Sequence, residues 1–137
     1  MIIADTSALL AYFHTDEPRH DQVTEFIDHQ IDTLVVSPYV VAELDYLVAS
    51  RHGLVTEVEM LRRIATGAYE LAQLEVADLV ICADVIERYR DRDIGVTDAS
   101  LVVLARRCGS RRILTLDRRH FEVVRPLDGG RFQVVPG

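Results

Sequence analysis

The chain has 137 residues, 49% of them apolar, which is enough to bury the core of one domain and excludes an intrinsically disordered protein. No apolar run approaches the roughly 20 residues of a membrane helix, and Met1–Asp5 lacks the basic start of a secretion signal, so we expect a cytoplasmic protein without membrane contact. Cys82 and Cys108 have no CxxC partner. We expect free thiols rather than a disulfide or a zinc site.

The net charge of −7 is unevenly distributed along the chain. Residues 99–137 hold eight arginines and three acidic residues, whereas the other 98 residues hold seven arginines and 19 acidic residues. Such a chain can present an acidic pocket beside a basic rim, which keeps a nucleic-acid partner open. A genome that favours arginine codons explains the same composition equally well.

The hydrophobic pattern alternates between strands and helices along the chain. The predicted strands are Met1–Ala4, Leu34–Val36, Tyr69–Leu74, Arg112–Leu116 and Phe132–Val135. The predicted helices are Ser7–Phe13, His20–His29, Pro38 to about Arg51, one opened by a Thr56–Glu59 capping box, Val76–Arg90, one capped by Thr97 that ends at Cys108, and a turn at Arg118–Phe121. The predicted apolar face of Val76–Arg90 consists of Leu79, Val80, Ala83, Ile86 and Tyr89. Strands separated by helices predict an α/β fold with a mainly parallel sheet covered on both faces, formed by residues 1–137 as a single domain.

Several acidic residues fall where parallel strands end and helices begin. Asp5 and Asp117 each follow a predicted strand, and Asp98 lies in the first turn of its helix. Glu43 and Asp45 flank the apolar stripe of the helix after the second strand, so periodicity does not choose between them. In parallel sheets, ligands bind beyond the carboxyl ends of the strands.

These acids have two interpretations. Taken singly, Asp5, Asp98 and Asp117 are ordinary helix-start residues and Glu43 is a solvated helix residue. Taken together, three or four carboxylates at one edge would repel one another strongly, and a divalent cation such as Mg²⁺ or Mn²⁺ would relieve that cost.

Four segments together resemble PIN-domain ribonucleases, and in particular the VapC-type toxins of bacterial toxin–antitoxin systems. They are the strand and Asp-Thr-Ser turn of Met1–Leu10, Val40–Leu44, the Asp-Ala helix start in Gly95–Leu101, and the strand-end acid in Ile113–Phe121. The second segment selects Glu43 over Asp45.

The resemblance implies a three-layer α/β/α sandwich and RNA cleavage that depends on Mg²⁺, with Mn²⁺ as a substitute. It implies that Asp5 and Asp98 hold the metal most directly, with Glu43 and Asp117 completing the site. It also implies a homodimer and a small antitoxin protein that neutralises the enzyme. The segments Val40–Ala49 and Leu54–Ile64 are candidates for an antitoxin groove, although core packing explains most of their apolar residues.

Further residues beside the acids are candidates for contact with RNA. Those that could orient water or substrate are Thr6, Ser7 and Thr115, and those that could bind the RNA backbone are Arg112, Arg118 and Arg119. Helix capping and a solvated basic face explain them equally well. His120 is interpreted as a rim or structural residue.

Other function classes fit the sequence less well. A haloacid-dehalogenase-type phosphatase requires an Asp where Ser7 stands, and no GxGxxG or P-loop motif is present. The alternative that stays open is a non-catalytic PIN-like module that binds RNA or protein, for which the loss of one of the four acids would be the sign.

Overall fold

The computed structural model describes residues 1–137 as five short strands and seven helices. The strands are β1 (Ile2–Ala4), β2 (Leu34–Val36), β3 (Tyr69–Leu71), β4 (Arg112–Leu114) and β5 (Gln133–Val135). The helices are α1 (Thr6–Phe13), α2 (His20–His29), α3 (Pro38–His52), α4 (Leu54–Thr66), α5 (Val76–Arg88), α6 (Val96–Cys108) and α7 (Arg118–Val123). No helix meets the length and apolarity that a bilayer crossing demands.

The strands form one parallel sheet in the order β3-β2-β1-β4-β5. Crossovers between parallel strands are right-handed, so the direction in which a connection moves along the sheet decides which face its helices cover. The connections through α1–α4 move from β1 towards β3, and those through α5–α7 move from β3 towards β5, so the two groups of helices cover opposite faces. All residues of β1 and β2 are buried, because helices cover both faces of the sheet. This explains why the two strands are wholly apolar instead of alternating with polar residues. The predicted three-layer α/β/α sandwich is confirmed.

Two predicted helix starts are wrong. Helix α4 begins at Leu54, directly after Gly53, whose φ of +87° allows the sharp turn from α3. The Thr56 capping box therefore lies inside the helix and caps nothing. Helix α6 has Gly95 as its N-cap, so Thr97 lies within its first turn. In contrast, Ser37 caps α3 as predicted, by accepting a hydrogen bond from the amide of Tyr39.

The face of α5 is also different from the predicted one. The sequence suggested an apolar face that included Leu79 and Val80, but the residues that α5 buries are Asp78, Cys82 and Val85. Asp78 is buried because it caps the helix and pairs with Arg107. The apolar side chains of Leu79 and Val80 are left exposed to solvent.

Candidate active site at the carboxyl edge of the sheet

The topology brings the four predicted acids to one edge of the sheet. Asp5 follows β1, and its amide donates to the carbonyl of Leu114 at the end of the neighbouring strand β4. Asp117 is three residues beyond the end of β4, as the N-cap of α7. Glu43 lies in α3, which follows β2, and Asp98 lies in the first turn of α6. All four elements begin or end at the carboxyl edge of the sheet.

Asp5 is the most buried of the four, with 6% of its surface exposed. Its Oδ2 accepts hydrogen bonds from Thr115 Oγ1 at 2.7 Å and Ser7 Oγ at 3.0 Å. Thr115 Oγ1 in turn accepts a hydrogen bond from the backbone amide of Asp117 at 3.0 Å, and Ser7 Oγ accepts one from the backbone amide of Leu116 at 2.9 Å. Both hydroxyl hydrogens therefore point at Oδ2, and neither side chain donates to Oδ1.

The electrostatics of Asp5 are dominated by its burial. Burial raises the pKa of Asp5, the hydrogen bonds from Thr115 and Ser7 lower it, and the charge of Glu43 raises it further. The hydroxyls thus stabilise an ionised carboxylate in a place where solvent does not. An ionised and oriented carboxylate is the state in which Asp binds a hard cation.

Asp98 lies within the electrostatic reach of its neighbours. Its pKa is raised to about 6, chiefly by burial and then by the charge of Asp5, while His120 lowers it and Glu43 raises it. The charges of Asp5 and Glu43 thus both raise the pKa of Asp98. We refer to these three acids at the carboxyl edge of the sheet as the acid cluster.

Asp117 joins this cluster through His120. The ring nitrogen Nδ1 of His120 lies 3.6 Å from Asp98 Oδ2 and 3.5 Å from Asp117 Oδ2. His120 is therefore in direct contact with Asp98 and Asp117. The sequence signal for this was its position three residues after Asp117, which places both side chains on one face of α7.

The donor chemistry of this cluster fits Mg²⁺ or Mn²⁺. All four side chains offer hard carboxylate oxygens, and two of them have raised pKa values that a cation would relieve. No three His, Cys, Asp or Glu side chains form a closed ligand set. An open cluster suits Mg²⁺, which keeps several waters and binds proteins through one or two carboxylates.

Some of the residues predicted to contact the substrate lie near the acid cluster, and others lie far from it. Thr6 and Thr115 are buried and Ser7 is half-buried. Ser7 and Thr115 donate to Asp5, whereas Thr6 Oγ1 has no hydrogen-bond partner. Arg112 is at the start of β4, at the opposite edge of the sheet, where it pairs with Asp32 at 2.6 Å. Its assignment as a substrate contact is wrong.

The two remaining arginines both lie in α7, beside Asp117. Arg118 is engaged, because it contacts Glu122 and the carbonyl of Pro136. Arg119 is 91% exposed and lies 3.8 Å from an oxygen of Asp117. It also lines a cavity of about 360 Å³. The other residues of that cavity are Asp91, Arg92, Asp93, His120 and Val123. Arg92 is not among the residues predicted from the sequence, because only the fold brings the loop before α6 against α7.

The fold and the cluster together define an α/β protein with a carboxylate site at the carboxyl edge of a parallel sheet. The family model for the PIN domain matches residues 2–126. The chain belongs to the PIN domain family.

Known relatives narrow this membership. The chain is 56% identical over 135 residues to Ribonuclease VapC26 of Mycobacterium tuberculosis. The aligned region covers 98% of this chain and 100% of that protein. These matches confirm the predicted resemblance to PIN-domain ribonucleases of the VapC kind, which generally depend on a divalent metal.

Solved structures agree on the fold. The crystal structure of Mycobacterium tuberculosis VapC20, described as a toxin that cleaves the sarcin-ricin loop, matches with a TM-score of 0.80 at 17% identity, over 85% of this chain and 90% of that one. FitAcB from Neisseria gonorrhoeae matches with a TM-score of 0.59 at 20% identity, over 85% of this chain and 88% of that one.

Proposed function

We propose that this chain is a magnesium-dependent endoribonuclease, for which Mn²⁺ can substitute, and that it acts in the cytoplasm as the toxin of a type II toxin–antitoxin pair. Residues 1–137 work as a single PIN domain. The observation that carries the proposal is the cluster of Asp5, Glu43 and Asp98, whose charges act on one another in a chain that is 56% identical to a ribonuclease. The same cluster disfavours a non-catalytic binding module, because all four acids are present although the charges of Asp5 and Glu43 disfavour ionised Asp98.

Each acid has a distinct place in the mechanism. Asp5 and Asp98 are the direct ligands, since they are the most buried of the four and have raised pKa values, while Glu43 and Asp117 complete the site through water or a second ion. A divalent cation held by these acids would supply a water of lowered pKa and would neutralise charge on the phosphate. Ser7 and Thr115 keep Asp5 ionised and fix the direction of its carboxylate.

RNA approaches from the side of α7. Arg119 and Arg92 line a cavity together with His120, whose ring contacts Asp98 and Asp117. Arg92 has no carboxylate within ion-pair distance. Guanidinium groups suit phosphate oxygens, because they donate in a planar fork. We assign these two arginines to the RNA backbone next to the scissile phosphate.

Two exposed apolar surfaces fit the two protein partners. The first, on α3 and α4, includes Tyr46, Leu54 and Val55 and adjoins a cavity of about 450 Å³. We assign this surface to the antitoxin. The second, on α5, includes Val76 and Val80, and we assign it to a second copy of the chain in a homodimer. Exposed apolar patches of this kind mark interaction sites.

The test of the proposed function compares wild type with Asp5→Asn on structured RNA, with Mg²⁺, with Mn²⁺ and with EDTA. The expected result is discrete cleavage that needs the metal and is lost in the variant. Arg112→Ala is the matched control, because Arg112 lies at the other edge of the sheet. Absence of cleavage by wild type with either metal would favour the binding module, and cleavage that survives Asp5→Asn would contradict the assigned site.

A further inference from the structure

A second group of buried hydroxyls lies between the two helices that carry Glu43 and Asp98. Ser37 and Ser100 are both 0% exposed, and their Oγ atoms are 2.8 Å apart. This is the one side-chain hydrogen bond that joins the start of α3 to α6. It connects residues 63 positions apart in the chain.

The direction of each hydrogen bond follows from the number of hydrogens. Ser100 Oγ donates its only hydrogen to the carbonyl of Thr97, at 2.6 Å. Ser37 must therefore donate to Ser100, and Ser37 Oγ accepts from the amide of Tyr39 at 3.1 Å. The result is a one-way chain from Tyr39 N–H through Ser37 and Ser100 to the carbonyl of Thr97, the residue before Asp98.

This chain lies where the site is under electrostatic stress. Glu43 is about one and a half turns beyond Ser37 in α3, and Asp98 follows the carbonyl at which the chain ends. The two carboxylates repel each other, and that repulsion favours moving α3 away from α6. The buried Ser37–Ser100 hydrogen bond resists such movement, because separating the helices would leave both hydroxyls without this partner away from water.

We propose that Ser37 and Ser100 are positioning residues of the metal site, which hold Glu43 against Asp98 at the separation that a divalent cation requires. This inference rests on the proposed function, since it presupposes a cation bound by these acids. The two hydroxyls act through the helices and contact neither metal nor RNA.

The experiment measures binding of Mn²⁺ alone by isothermal titration calorimetry to wild type, Ser37→Ala and Ser100→Ala. We expect each variant to bind Mn²⁺ about tenfold more weakly, the lower end of the range for residues that support metal ligands. The double variant should bind no more weakly than the poorer single variant, because both hydroxyls belong to one chain. RNA cleavage by the variants should recover when Mn²⁺ is saturating.

Two further variants separate positioning from simple stability. Ser37→Thr keeps a hydroxyl at the N-cap and should retain the wild-type Mn²⁺ affinity. Ser110→Ala removes a hydroxyl that bonds the carbonyl of Met1 and the amide of Arg112, at the opposite edge of the sheet, and should leave the affinity unchanged. If Ser100→Ala does not fold, Ser37→Ala and Ser37→Thr decide the matter between them.

The outcomes separate the two proposals. Wild type that binds no Mn²⁺ would overturn the proposed function. Wild type that binds Mn²⁺ while folded Ser37→Ala binds it equally well would overturn the positioning role alone. A loss of affinity in Ser110→Ala of the same size would show a general effect of instability and would equally overturn the positioning role.

Discussion

Removal of one charge from the acid cluster should stabilise the metal-free protein while abolishing its activity. Asp98→Asn keeps the size of the side chain and removes its negative charge. The pKa of Asp98 is raised from 3.8 to about 6 in the folded chain. Since one pKa unit corresponds to about 1.4 kcal/mol, ionised Asp98 costs the fold about 3 kcal/mol before screening. The side chain is 21% exposed, so we expect about 1–2 kcal/mol after solvent screening.

The dependence on pH has a definite sign. Below pH 3.8 the carboxyl is protonated in both the folded and the unfolded chain, and it costs nothing. Between pH 3.8 and about 6 the unfolded chain releases the proton while the folded chain retains it, so wild type loses stability relative to Asp98→Asn. Above about pH 6 the difference between the two proteins stays constant.

Urea denaturation in EDTA, followed by circular dichroism at pH 4 and pH 7.5, measures this difference. Saturating Mg²⁺ should reverse the order, because a cation at about 100 times its Kd stabilises wild type by about 2.7 kcal/mol and the variant by much less. The control is Asp84→Asn, an exposed residue of α5 without an ion pair, which should change neither pH dependence nor Mg²⁺ response. A difference between Asp98→Asn and wild type that is the same at both pH values would refute the reasoning.

Three other predictions test the surroundings of the cluster. Thr115→Val removes a buried hydrogen-bond donor to Asp5, so the free energy of unfolding should fall by about 1–3 kcal/mol. The Mn²⁺ affinity measured by calorimetry should fall at least tenfold, and an unchanged affinity would contradict the role of the hydroxyl. Arg119→Ala should raise the KM for RNA severalfold and reduce the salt dependence of binding by about one phosphate contact, whereas Arg112→Ala should leave both unchanged. Val80→Asp places a charge on the exposed apolar face of α5 and should give monomers in sedimentation equilibrium, and a variant that stays dimeric would exclude this face as the interface.

The parts of the site that could be predicted from sequence depend on local pattern. Asp5 and Asp117 follow apolar strands, and parallel strands end at one edge of the sheet, so their convergence follows from the predicted parallel direction of the strands. Glu43 differs, because α3 presents Glu43 and Asp45 on opposite sides of its buried stripe and only the family resemblance distinguished them. In the structure, the charge of Glu43 acts on Asp5 and Asp98, whereas Asp45 interacts with Glu57 of α4.

The wrong predictions concern side chains whose positions are decided by contacts with residues far away in the sequence. Arg112 is the first residue of β4, the strand that ends at the site, so it lies at the other edge of the sheet, where it pairs with Asp32, 80 residues away. Asp78 is buried on α5 because Arg107 neutralises it, which turns the apolar side chains of Leu79 and Val80 outward. No periodicity in a single segment contains this information.

The hydroxyl groups around the acids show how the fold tolerates a site that opposes its own stability. Charged carboxylates are costly when buried close together, so a chain selected only for stability would replace them. Ser7 and Thr115 offset part of this free-energy cost by donating hydrogen bonds to Asp5. The Ser37–Ser100 hydrogen bond joins the helices that carry Glu43 and Asp98. A cation held by these acids would relieve the rest of the cost, so the same repulsion that weakens the metal-free fold would supply part of the affinity for the metal.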